Sequence, residues 1–109
     1  MVVKPMIRSN ICMNAHPQGC ERNVARQIEY VRSQGPINGP KNVLVIGSSG
    51  GYGLASRITA AFGSGAATIG VAYESPAKGT RTATAGWYQD LAFRRFADEA
   101  GLPNRSFIG

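Results

Sequence analysis

Residues 43–53 read Val-Leu-Val-Ile-Gly-Ser-Ser-Gly-Gly-Tyr-Gly, an apolar run that breaks into glycines and hydroxyls. Residues of these types at this spacing suit the holding of a phosphate. The chain turns sharply through Gly47, Gly51 and Gly53, with Ser48 and Ser49 between them, and a helix follows. Backbone N–H groups and the positive end of a helix dipole then meet at one point, which is where a phosphate binds. A second set of residues points the same way. The run Thr68–Tyr73 ends in Glu74, and in dinucleotide-binding folds an acidic residue about 20 positions beyond the glycines caps the second strand and accepts hydrogen bonds from the adenosine ribose. Its charge would repel the extra phosphate of NADP, which makes NADH the favoured cofactor. The competing reading of Glu74 is an ordinary acidic residue after a strand. A third set, Cys12, His16 and Cys20, has the spacing of three metal ligands, but no fourth Cys or His exists in the chain. Reduced cysteines and a structural histidine near a helix start are the commoner arrangement in a cytoplasmic protein.

The elements that must position these residues follow from periodicity. Val43–Ile46, with three β-branched residues, predicts a strand buried on both faces. The next helix carries Leu54, Ile58, Ala61 and Phe62 on its inner side, with Arg57 and Thr59 on the outer one. A second strand spans 68–73. A third helix opens at Gly86-Trp87-Tyr88, repeats Tyr88, Ala92, Phe96 and Ala100 every four residues, and stops at Gly101-Leu102-Pro103. Arg105–Ile108 begins a third strand. Upstream, residues 1–11 alternate loosely as a short strand or hairpin. A helix over 21–34 buries Val24, Ile28 and Val31, turns Arg22, Arg26 and Glu29 outward, and ends at Gly35-Pro36. Strand and helix alternate, which predicts a parallel α/β fold: the βαβαβ half of a doubly wound, Rossmann-like sheet. The expected organisation is an N-terminal extension over 1–40 and a truncated NADH-binding half-domain over 41–109. A chain stopping one residue after a core strand reads as the N-terminal piece of a larger protein, with the first strand left as an open edge.

Composition narrows the function classes. At 109 residues with 43% hydrophobic content the chain holds one domain at most, burying roughly 60–65% of its unfolded surface. No apolar run approaches a membrane span, and the start Met1-Val2-Val3-Lys4-Pro5 lacks a signal-peptide core, so a cytoplasmic protein is expected. The net charge is +6, but the bases are scattered singly apart from Arg94-Arg95. That pattern argues against nucleic acid and suits a phosphate-bearing ligand.

Taken as strings, the residues resemble one family, the bacterial V-type enoyl-ACP reductases, also called trans-2-enoyl-CoA reductases. The resemblance runs from Lys4-Pro5 and Ile11-Cys12 through Ala15-His16-Pro17-x-Gly19-Cys20, Tyr30-Val31 and Gly39-Pro40-Lys41. It continues through Val43–Gly47, Gly51-Tyr52-Gly53-Leu54-Ala55 and Arg57–Gly63 to Thr84-Ala85-Gly86-Trp87-Tyr88. The Gly-x3-Gly-x-Gly turn is also closer to the short-chain reductase variant than to Gly-x-Gly-x-x-Gly. The resemblance implies NADH-dependent reduction of the C2=C3 double bond of an enoyl-ACP or enoyl-CoA thioester in fatty acid synthesis, by a monomeric full-length protein. It also implies that Gly47, Ser48, Ser49, Gly50, Gly51 and Tyr52 surround the pyrophosphate and that Tyr73 and Glu74 surround the adenosine. Gly53 would permit close helix–strand packing. The family's enolate-stabilising tyrosine and lysine are spaced Tyr-x8-Lys, and no such pair occurs here. No catalytic residue carries over, so the chain alone is expected to be inactive. The alternative is a non-catalytic nucleotide-binding module. Two positions depart from the family pattern: Gly50 stands where a hydroxyl residue is usual, and Ser75 follows Glu74 in place of a basic or bulkier residue. With Lys78 and Arg81 nearby, tolerance of NADPH stays open.

Overall fold

The computed structural model describes residues 16–75 and 83–108. The expected hairpin over 1–11, Cys12, and the bases Lys78 and Arg81 lie outside the described residues. Three strands, β1 (Asn42–Ile46), β2 (Ala67–Ala72) and β3 (Asn104–Ile108), form one parallel sheet in the order β1-β2-β3. Val45 pairs with Gly70 and Gly70 with Ser106, so these three residues cross the sheet in one row. Helix α1 (Pro17–Ser33) precedes β1, and two helices connect the strands: α2 (Gly51–Ile58), which runs on as a π-helical turn over Thr59–Gly63, and α3 (Ala85–Glu99).

Helix α1 begins four residues earlier than its apolar spacing predicts, because its start is a cap. The Nδ1 of His16 accepts from the Gly19 N–H at 3.2 Å, and Pro17 occupies the first turn, where its missing N–H costs nothing. Cys20 is buried beside this cap. The other end stops at Gly35 (φ +84°), whose N–H returns to the Arg32 carbonyl. Helix α3 ends in a Schellman motif: Gly101 (φ +73°) donates to Asp98 O and Leu102 to Ala97 O.

The helices share one core, in which Val24 and Ile28 of α1 meet Leu54, Ile58 and Ala61 and, from α3, Ala92, Phe93 and Ala97. Phe62 packs edge-on to Phe93 with ring centroids 5.9 Å apart. The α3 stripe differs from the expected one. Ala100 is exposed, and the buried positions are Asp90, Ala92, Phe93 and Ala97. At 3.6 residues per turn a strict four-residue repeat drifts round the helix, so the buried stripe has to mix steps of three and four.

Strand β1 also differs from expectation. Val45 is buried, but Leu44 and Ile46 are 61% and 72% exposed. The side chains of Val45 and Thr68 and the bare face of Gly70 look toward the helices, whereas Leu44, Ile46, Ile69 and Phe107 stand on the opposite face, uncovered by any described residue. The apolar run of β1 is therefore continuous in sequence but half-buried in space.

Candidate dinucleotide-binding site

The glycine turn lies at the carboxyl end of β1, next to the carboxyl end of the central strand β2. Gly47 takes φ +79° and donates to Val71 O at 2.7 Å, and Ser48 N–H shares that carbonyl at 3.2 Å. These two bonds clamp the turn to β2. Gly51 has φ +55°, and a Cβ placed on Gly47 or Gly51 would meet no atom within 4 Å. Both glycines are thus required by backbone conformation, and the space in front of them is open. Gly53 answers a different need. A Cβ there would lie 1.8 Å from the carbonyl oxygen of Gly47, so only glycine lets α2 sit this close to the turn.

Gly50 is the N-cap of α2 and offers no side chain to it. Leu54 N–H is bonded to Gly50 O, and the N–H groups ahead of it, in the first turn, have no intrahelical partners. The two serines diverge. Ser48 is buried, and its hydroxyl has no partner among the described residues. Ser49 reaches across to β2, where its Oγ donates to Glu74 Oε2 at 2.5 Å. Tyr52 and Tyr73 stand out from the surface, 93% and 83% exposed.

Glu74 follows β2 and is half-buried. Its Oε1 accepts from the Thr84 hydroxyl at 2.5 Å, so one carboxylate links the glycine turn to the start of α3. A carboxylate offers about four lone-pair positions, and these two bonds leave capacity for further hydroxyl donors. The structure therefore brings Gly47, Ser49, Gly50, Gly51 and Glu74 to one end of the sheet, turns the Ser48 side chain inward, and leaves Tyr52 and Tyr73 flanking the opening.

Beneath the turn lies the largest departure from the sequence reading. Arg57, expected on the outer side of its helix, is fully buried. Its guanidinium donates to Thr68 Oγ1 (3.0 Å), Ser106 Oγ (3.0 Å) and Arg105 O (2.9 Å), and pairs with Asp90 at 3.3 Å. It also stacks 4.3 Å from the centroid of the Phe93 ring. Burial pulls the guanidinium below its ordinary range, and the Asp90 carboxylate opposes that shift. The room comes from Gly70: a Cβ there would lie 2.3 Å from Arg57 Nη1 and 2.4 Å from Ser48 Oγ. Positions 54, 57, 58 and 61 form one helical stripe, so spacing alone places Arg57 inward. Thr84 and Gly86 also escaped the sequence reading as site residues, although they stand in the string that carried the family resemblance.

A family described as the NAD(P)H binding domain of trans-2-enoyl-CoA reductase matches residues 2–79. The enoyl-[acyl-carrier-protein] reductase [NADH] of Methylobacillus flagellatus is 61% identical over 109 residues, and that of Pseudomonas aeruginosa PAO1 is 59% identical over 110. Both alignments cover all of this chain. The chain spans about 28% of the length of these curated relatives. Among solved structures, Treponema denticola trans-2-enoyl-CoA reductase in complex with NAD superposes with a TM-score of 0.86 at 54% identity, covering 100% of this chain and 29% of that one. A Clostridium trans-2-enoyl-CoA reductase in complex with NADH gives 0.89 at 44% identity, again over all of this chain and 28% of that one. The glycine turn, the carboxylate beyond β2 and the partial Rossmann-like sheet thus coincide with a matched family, and the chain belongs to the NAD(P)H-binding domain family of the trans-2-enoyl-CoA reductases.

Proposed function

We propose that this chain is the NADH-binding part of a cytoplasmic oxidoreductase of fatty acid synthesis that saturates the C2=C3 bond of an enoyl-ACP or enoyl-CoA thioester. The observation that carries this reading is the meeting of Glu74 with the glycine turn through Ser49. When bound, NADH supplies the hydride. This chain's own residues hold and orient it. The turn from Gly47 to Tyr52 surrounds the pyrophosphate, with the first-turn N–H groups of α2 as donors, and the Ser49 hydroxyl, donating to Glu74, ties the turn to that carboxylate. Ser48 supports the turn from beneath. Tyr73 and Glu74 hold the adenosine, and the free lone pairs of Glu74 accept from its ribose hydroxyls.

The reacting atoms lie elsewhere, since the chain has no Tyr-x8-Lys pair. Its partners are the thioester substrate and the remainder of a monomeric reductase; neither nucleic acid nor an integral membrane is among them. No helix of the described residues is long and apolar enough to cross a bilayer.

The test is cofactor selectivity. Replacing Glu74 with Ser in the protein as its gene encodes it removes the charge facing a 2′-phosphate. NADPH should gain on NADH by roughly tenfold, since one such repulsion is worth about 1–2 kcal/mol near a protein surface. Calorimetric titrations with both nucleotides give the ratio, and an unchanged ratio refutes the role of Glu74.

A further inference from the structure

Thr84 is the N-cap of α3, yet its hydroxyl makes no capping bond to its own helix. A threonine at this position ordinarily turns its oxygen to the N–H groups of the first turn. Here the hydroxyl donates outward to Glu74 Oε1 at 2.5 Å. It is held in that direction by the strand end: Ser75 N–H donates to Thr84 Oγ1 at 3.3 Å, and Thr84 N–H donates to Ser75 O at 3.1 Å. Two residues on, Gly86 occupies the first turn of α3, where alanine is the better helix former. A Cβ on Gly86 would come within 2.2–2.7 Å of Glu74 Oε2, Cδ and Oε1. The carboxylate therefore rests on the bare backbone of the helix start. Both features forgo local helix stability, and both have the Glu74 carboxylate as their neighbour.

The geometry points to Thr84 and Gly86 as positioning residues for nucleotide selectivity. Thr84 fixes the rotation of the Glu74 carboxylate, and Gly86 leaves it the room to lie there. This rests on the reading of Glu74 as the ribose acceptor. A carboxylate free to swing accepts less well from the ribose hydroxyls and faces a 2′-phosphate less squarely, so selectivity depends on its orientation as well as its charge.

The experiment measures Kd for NADH and for NADPH by calorimetry on the protein as its gene encodes it, and on its T84V, T84S, G86A and E74Q variants. T84V and G86A should each narrow the preference for NADH by roughly fivefold, the size of one ordinary hydrogen bond's net contribution. T84S, which keeps the hydroxyl, should stay within about twofold of the parent. G86A should narrow selectivity while its melting temperature stays near the parent's, because the helix preference of alanine offsets much of the cost of moving the carboxylate. A purely structural role predicts something else, with both affinities falling together and their ratio constant; that result in T84V and G86A overturns the proposal. Should T84V fail to fold, G86A decides alone. E74Q separates the two levels. If E74Q shifts the ratio and T84V and G86A do not, the positioning role fails and the reading of Glu74 stands. If E74Q leaves the ratio unchanged, the reading of Glu74 fails, and the positioning role with it.

Discussion

Arg57 shows how a single side chain can tie two helices to a sheet. It leaves α2, crosses the bare backbone of Gly70 on β2, and ends among β3 and the Asp90 carboxylate of α3. Replacing it with Met keeps much of the bulk but leaves Asp90 without its buried cationic partner, with Ser106 Oγ still donating to Asp90 Oδ1 at 2.8 Å. Loss of one partner of a buried pair costs about 3–5 kcal/mol. The lower end is expected here because Arg94 still reaches Asp90 Oδ2 at 3.0 Å from the solvent side. Urea unfolding of Arg57→Met, Asp90→Asn and the double variant measures it, and the double variant should be less destabilised than the sum of the two singles. Additive losses would show that the pair contributes nothing as a pair. Residue type alone assigns a charged position 57 to solvent, and the structure buries it. Its place on the Leu54–Ile58–Ala61 stripe carried the opposite message. The hydroxyls of Thr68 and Ser106 that satisfy it come from two strands, and no local pattern joins them to position 57.

At the scale of elements, what was readable from sequence is what repeats or what glycine and proline punctuate. The three strands, the three helices, the stop at Gly35-Pro36 and the stop at Gly101 all appear as expected to within a few residues. The start of α1 is not legible from apolar spacing because its cap is a histidine, outside the usual set of capping residues. The turn of α2 against β1 was anticipated through Gly53, and it yields a sharp expectation. In most helices a Gly→Ala change is stabilising. At Gly53 the new methyl would enter the Gly47 carbonyl, and overpacking of this kind costs about 1–3 kcal/mol. Gly53→Ala should lower the melting temperature and weaken NADH binding together, because the displaced helix start is the proposed phosphate site. A variant with raised stability and intact binding would show that α2 has slack at its start.

For the whole molecule, the decisive asymmetry is between the two faces of the sheet. One face is packed by helices. The other presents Leu44, Ile46, Ile69 and Phe107, with β1 at the rim. Exposed apolar surface beside a strand edge that no described strand pairs favours association. The 109-residue chain studied alone should bind a hydrophobic dye, scatter light increasingly with concentration, and show no NADH oxidation with crotonyl-CoA. Ile46→Thr, which keeps β-branching while removing apolar surface, should reduce both the dye signal and the scattering. A dye-silent, monomeric parent chain would contradict this. Sequence showed the apolar run of β1 but not that one face lacks a cover among the described residues, because period-two exposure depends on what lies above the sheet.

The packing of α1 against α3 sets a timetable. Val24 and Ile28 find their partners in Phe93 and Ala97, about 70 positions further along the chain, and Glu21 meets its ion-pair partner only at Arg95. A ribosome adding about 5–20 residues per second needs roughly 3–14 s to cover that stretch. For those seconds the apolar stripe of α1 has only Leu54, Ile58 and Ala61 to lie against, so the first helix of the described residues completes its docking late. Slowing translation between codons 34 and 85 should therefore lengthen its exposure to chaperones and proteases, and speeding it should shorten it.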